Sequence, residues 1–137
     1  MAQSARGGDG ADLMPLCVAA GGLVMSLALE SFTLAWTHSI EKIRWEEDWR
    51  IDHGRLVLTE ARVRGSGAGM EPPAGSRFAD GVWHYDPHVP PLEVLRLTHS
   101  SYTAGYDICT PQGCTPLAAS APRAGNGDVI ELSACPS

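Results

Sequence analysis

Between Ile43 and Asp52 the chain repeats with a period of two. Ile43, Trp45, Glu47, Trp49 and Ile51 fall on one side, and Arg44, Glu46, Asp48 and Arg50 on the other. Successive side chains of a strand point to opposite faces, so this segment reads as a strand with one largely apolar face and one charged face. His53-Gly54 then forms a tight turn into a second strand, Arg55–Arg64, with Leu56, Val57 and Leu58 as its apolar residues. Upstream, Phe32, Leu34 and Trp36 alternate with Thr33, Ala35 and Thr37, which predicts a strand over Phe32–Ser39.

The rest of the chain continues in short strand-like pieces separated by turn residues, with 15 glycines and 10 prolines in 137 residues. Met14–Ala19 and Leu23–Leu29 make a hairpin around Gly21-Gly22, and Val82–Tyr85, Leu92–Ser100, Tyr102–Cys109, Cys114–Leu117 and Asp128–Ala134 complete the set. Residues 65–81 carry five glycines and two prolines and read as the longest loop, and Ala118 to Asn126 as a linker. No stretch has room for a large helix. The predicted architecture is all-β: an antiparallel sandwich or flattened barrel of about ten short strands. The length suits one domain, residues 13–137. Residues 1–12, polar and glycine-rich, read as a flexible N-terminal segment or a tag remnant.

A net charge of −6 and the lack of a basic stripe argue against nucleic acid as a partner. Leu16 to Leu29 is apolar but too short to cross a bilayer, and Glu30 ends it, so no transmembrane segment is expected. Cys17, Cys109, Cys114 and Cys135 permit three disulfide connectivities. Their placement favours Cys109–Cys114, closing a short loop, and Cys17–Cys135, tying the chain ends, in a periplasmic or secreted protein. Four free thiols in a cytosolic protein is the alternative. A zinc site is disfavoured, because the only close pair is spaced CxxxxC.

The densest polar run is Thr37 to Glu47. The segments LAWTHSIEKIRWEEDWRI and RLVLTEARVRGSGAG, with LCV and GGLVMSLAL before them, resemble the bacterial family called domain of unknown function 1850. The family's Tyr/Thr-His-Ser-Val-Glu stretch, glutamate pair and Gly-Ala-Gly loop match Thr37, His38, Ser39, Glu41, Glu46, Glu47, Gly67, Ala68 and Gly69. The resemblance implies a short extracytoplasmic protein, often encoded beside tripartite ATP-independent periplasmic transporters of the TAXI type. It implies little mechanism.

On its own terms, Glu47 interrupts an apolar face, where a carboxylate needs a cation, a metal or several donors. A structural ion pair with Lys42, Arg44 or Arg62 would satisfy it. The functional alternative is a small-ligand pocket built from His38, Ser39, Glu41, Glu46 and Glu47 under the glycines of the Gly65–Gly69 loop, Gly67 and Gly69 among them. Copper or zinc is a further possibility, held by His38, His84, His88 and His99, although their spacing matches no familiar ligand signature. No other cofactor is implied.

Leu34-Ala35-Trp36-Thr37-His38-Ser39 is echoed by Leu95-Arg96-Leu97-Thr98-His99-Ser100, which raises the prospect of two sheets each ending in a histidine. Catalysis is not expected. Ser39 and Ser100 each follow a histidine, but strand neighbours face opposite ways, and no nucleophile-elbow, phosphate-loop or metalloprotease motif is present. A periplasmic protein that binds a small molecule, or serves a transporter component, is the function expected. A metal-binding protein and a purely structural interaction domain are the alternatives.

Overall fold

A computed structural model describes residues 15–37, 43–64, 75–101 and 105–136. Within them lie eleven strands: β1 (Leu16–Ala20), β2 (Leu23–Leu27), β3 (Ser31–Thr37), β4 (Arg44–Asp52), β5 (Arg55–Arg64), β6 (Arg77–Ala79), β7 (Val82–Tyr85), β8 (Leu95–Thr98), β9 (Tyr106–Thr110), β10 (Gly113–Pro116) and β11 (Val129–Ala134). They form two antiparallel sheets, one ordered β2-β1-β11-β8 and the other β10-β9-β3-β4-β5-β7-β6. The fold is therefore an all-β sandwich, and the flattened-barrel alternative falls away because the sheets do not close on each other. No helix among the described residues is long and apolar enough to cross a membrane.

Three hairpins close in two residues that both adopt positive φ: Gly21-Gly22, His53-Gly54 and Asp80-Gly81. This geometry matches the twist of the flanking strands. At Gly21 a side chain is also excluded by space, since a Cβ there would lie 2.6 Å from the Arg123 carbonyl oxygen.

The core is the interface of the two sheets. Leu16, Val18, Leu97, Ile130 and Leu132 from the four-stranded sheet meet Phe32, Leu34, Trp49, Leu56, Leu58 and Ile108 from the other. Each fully buried side chain of this size contributes roughly 1.5–3 kcal/mol of transfer free energy. Leu117 joins them from a single 3-10 turn, Leu117–Ser120, formed where a plain linker was expected.

Both disulfides are present. Cys17–Cys135 fastens β1 to the residue after β11 across 118 residues, and Cys109–Cys114 links directly opposed residues of β9 and β10. Breaking the long-range bridge should destabilise the fold by about 4 kcal/mol, because it closes nearly the whole chain.

Several boundaries differ from the sequence reading: β2 ends at Leu27 and not Leu29, and β9 spans Tyr106–Thr110 where Tyr102–Cys109 was expected. β6 occupies the end of the expected loop over 65–81, paired with β7. The strand expected over Leu92–Ser100 is shorter, β8 beginning at Leu95, although Leu92 exchanges two backbone hydrogen bonds with Leu56.

Candidate functional site

The alternation in β4 holds. Strand pairing carries it across the seven-stranded sheet in rows. The row through Glu47 reads Ile108, Leu34, Glu47, Ala61, Tyr85 on the face turned to the core. The next row, towards the Thr37 end of β3, reads Tyr106, Trp36, Trp45, Val63, Trp83. On Glu47's other side the same face continues with Phe32, Trp49 and Leu58. A register shift between Asp48 and Trp49 leaves Thr59 of β5 as an extra residue. This bulge keeps Leu56, Leu58, Ala61 and Val63 on one face, which a strict period of two would have split.

Glu47 is thus set in aromatic surroundings. Trp36 stacks parallel on Trp45 with ring centroids 6.3 Å apart, and Tyr106 meets Trp36 edge-on at 5.6 Å. Trp36, Trp45, Tyr85 and Tyr106 are all half-buried, whereas Trp49 is 3% exposed and belongs to the core. Trp49 Nε1 donates a hydrogen bond to Glu47 Oε1 at 3.2 Å. Among the described residues no cation pairs with Glu47. Burial pushes its carboxyl above the ordinary value, and the indole hydrogen bond only partly offsets that. Burial and the Glu47 charge also push the Tyr85 and Tyr106 hydroxyls up.

The opposite face of β4 and β5 is saturated. Arg62 Nε donates to Glu46 at 3.0 Å, and its two terminal nitrogens each reach Asp48 at 2.7 Å. Arg44 and Arg64 also bond Glu46, Thr33 bonds Asp48, and Glu60 takes Arg62, Arg77 and His84. Burial acts to raise the Glu46 carboxyl, but hydrogen bonds from Arg64, Arg62 and Arg44 outweigh it and hold the group below its ordinary value. Arg62 does the same for Asp48, against a smaller burial effect. Asp48 in turn raises the Arg62 guanidinium.

The expected site residues are therefore not all together. Glu46 and Glu47 face opposite sides of the sheet, and only Glu47 stands on the aromatic face. His38, Ser39, Glu41, Gly67 and Gly69 lie outside the described residues, as does Lys42. Arg44 and Arg62, the other ion-pair partners considered for Glu47, belong to the Glu46 network on the far face. Of the candidate metal ligands, His84 pairs with Glu60 on that far face, His88 is exposed in the proline-rich segment, and His99 follows β8 in the other sheet. Among the described residues no three His, Cys, Asp or Glu side chains are placed to hold a metal ion. The echoed segments do end one strand in each sheet, at Thr37 and Thr98.

A depression of about 630 Å³ opens on the far face beside Thr33, Asp48, Arg50 and the Cys109 bridge. Its carboxylate, Asp48, is already taken by Arg62 and Thr33. Its other charged group, the exposed Arg50, lies 3.9 Å from Asp52.

Missing from the expected site were Tyr85 and Tyr106, which β7 and β9 bring beside Glu47. The alternation of Tyr106 and Ile108 against Asp107 and Cys109 was a usable signal for one of them.

The class defined by these features is a two-sheet, disulfide-braced β-sandwich with a carboxylate embedded in an aromatic face. The chain belongs to the family described as Domain of unknown function (DUF1850), whose model matches residues 32–117. That span contains every residue of the aromatic face. No curated protein and no solved structure matches the chain.

Proposed function

We propose that the chain is an extracytoplasmic protein that binds a small ligand on the aromatic face around Glu47, without catalysing a reaction on it, in an accessory role to a tripartite ATP-independent periplasmic transporter. The observation that carries the binding role is Glu47 itself: a half-buried carboxylate whose hydrogen-bonding partner among the described residues is one indole, in a sheet where Glu46, Asp48 and Glu60 are each held by at least one arginine. A half-buried carboxylate with no cation partner among the described residues is costly to fold around, and groups of this kind cluster at ligand sites. Two disulfides support the oxidising compartment. The transporter link rests on the family resemblance. Binding without catalysis is supported by Glu47's neighbours on this face among the described residues, which are aromatic and aliphatic side chains with no serine, threonine or cysteine.

The test is a ligand screen read by intrinsic tryptophan fluorescence and thermal shift, using small acids, amines and sugars. A saturable response that disappears in Glu47→Gln supports the reading. Responses unchanged by that substitution would place the site elsewhere.

A second reading, an interaction domain, is favoured by one observation. β2 is a sheet edge and leaves Val24 61% and Met25 37% exposed, which suits the addition of a partner strand.

A further inference from the structure

We propose that the ligand of this face is a small organic monocation of the alkylammonium class, its charged head against the Glu47 carboxylate and its alkyl groups against Trp36, Trp45, Tyr85 and Tyr106. This rests on the reading that Glu47 marks a ligand site.

Three observations select the class. The first is charge. The described arginines that form ion pairs do so with Glu46, Asp48, Asp52, Glu60 or Glu131, and none with Glu47. A cationic ligand supplies the partner that Glu47 lacks among the described residues, whereas an acid would bring a second negative charge to a chain that already carries −6.

The second is the surroundings. Five half-buried aromatic rings, Trp36, Trp45, Trp83, Tyr85 and Tyr106, occupy the rows at and next to Glu47, and the negative faces of indole and phenol rings attract ammonium groups. The combination of a carboxylate with several ring faces favours a weakly hydrated ammonium over a compact metal ion, which requires several oxygen ligands.

The third is spacing. Tyr85 stands two strands from Glu47, about 10 Å across the sheet, and the residue between them is Ala61, the smallest in the row. Trp45 lies two residues along β4, about 7 Å away. These separations put Trp45 and Tyr85 within side-chain reach of a small head group held at Glu47.

The discriminating probe is choline chloride against 3,3-dimethylbutan-1-ol, its uncharged isostere, with butylamine, acetate and cellobiose alongside, all at constant ionic strength. Tryptophan fluorescence should report choline binding at least tenfold tighter than the alcohol. In Glu47→Gln, choline should fall to the alcohol's level while the alcohol is unaffected.

Equal affinity for choline and the alcohol, or a response only to acetate or to cellobiose, would overturn the cation assignment and leave a ligand site at Glu47 standing. Choline binding that survives Glu47→Gln also overturns it. Silence towards every probe counts against both this inference and the ligand-binding role. Should Glu47→Gln fail to fold, Tyr85→Leu takes its place: a loss of about threefold or more for choline, with the alcohol unchanged in rank, is expected, and an unchanged choline affinity contradicts the proposal.

Discussion

Glu46 and Glu47 are neighbours in sequence and opposites in circumstance. On the outer face of β4 and β5, Glu46 is 9% exposed and held by three arginines, and Asp48 beside it receives a two-pronged contact from Arg62. On the inner face Glu47 has an indole hydrogen and, among the described residues, no cation. One residue of strand separates a carboxylate whose charged form the fold stabilises from one whose charged form it opposes. Burial alone does not decide which. The difference is the supply of guanidinium groups, and the pairing of β4 with β5 places Arg62 and Arg64 on the outer side only. The outer face therefore reads as structure, and the inner face as capacity held for something else.

Trp49 forms the core side of Glu47's surroundings, and its loss is the most damaging single change to the inner face. Trp49→Ala should cost about 3–5 kcal/mol in a denaturant melt, as a large buried ring is removed. A loss under about 1 kcal/mol would mean that β4 presents its other face to the core.

Next in size is Arg62. Arg62→Leu removes Asp48's arginine and one of the three that hold Glu46, and should cost roughly 2–3 kcal/mol, less than breaking a fully buried pair because Arg44 and Arg64 still hold Glu46 and Asp48 is one-third exposed. If Arg62→Leu were neutral, the outer face would not be the saturated structural network described here.

The two faces also separate by pH. Glu46 and Asp48 have folded values below their ordinary 4.5 and 3.8, so the stability they contribute is present above those values and is lost as pH falls through the lowered ones. Glu47 is raised above 4.5, so the folded protein takes up this proton first, and stability increases as pH falls from above the raised value towards 4.5. Urea melts across pH should show a gentle rise on acidification followed by a fall below about pH 4. In Glu47→Gln the rise should vanish and the fall remain. A rise that persists in the variant would assign it to another group.

Much of this arrangement was legible in the sequence where the pattern is local. The period-two alternation of Ile43–Asp52 gave the correct faces of β4, and Arg55–Arg64 and Val82–Tyr85 have the boundaries the sequence suggested. The termini of the chain and the CxxxxC pair indicated the disulfides. Less visible was β6, because its Asp80-Gly81 turn sits at the end of a glycine- and proline-rich run and its three residues are all exposed.

The bulge at Thr59 was hidden for a different reason. Leu58 and Ala61 are three apart, and only pairing with β4 shows that they share a face. At the site, Glu47 stood out because it interrupts an apolar face. The Glu46-Glu47 doublet reads as a unit in sequence, yet strand geometry divides it. Tyr85 and Tyr106 arrive from strands distant in the chain, and their position depends on a sheet order that no local pattern encodes.

The smallest expected effect concerns Glu47, which has an indole hydrogen bond and, among the described residues, no cation partner. The measurement is the thermal melt of Glu47→Gln against the parent protein at pH 7, ligand-free and with the disulfides intact. A melting temperature equal to or above that of the parent is predicted, because the change removes an opposed charge at nearly constant shape. A drop equivalent to about 3 kcal/mol would show that a buried cation had lost its partner, and would contradict the account.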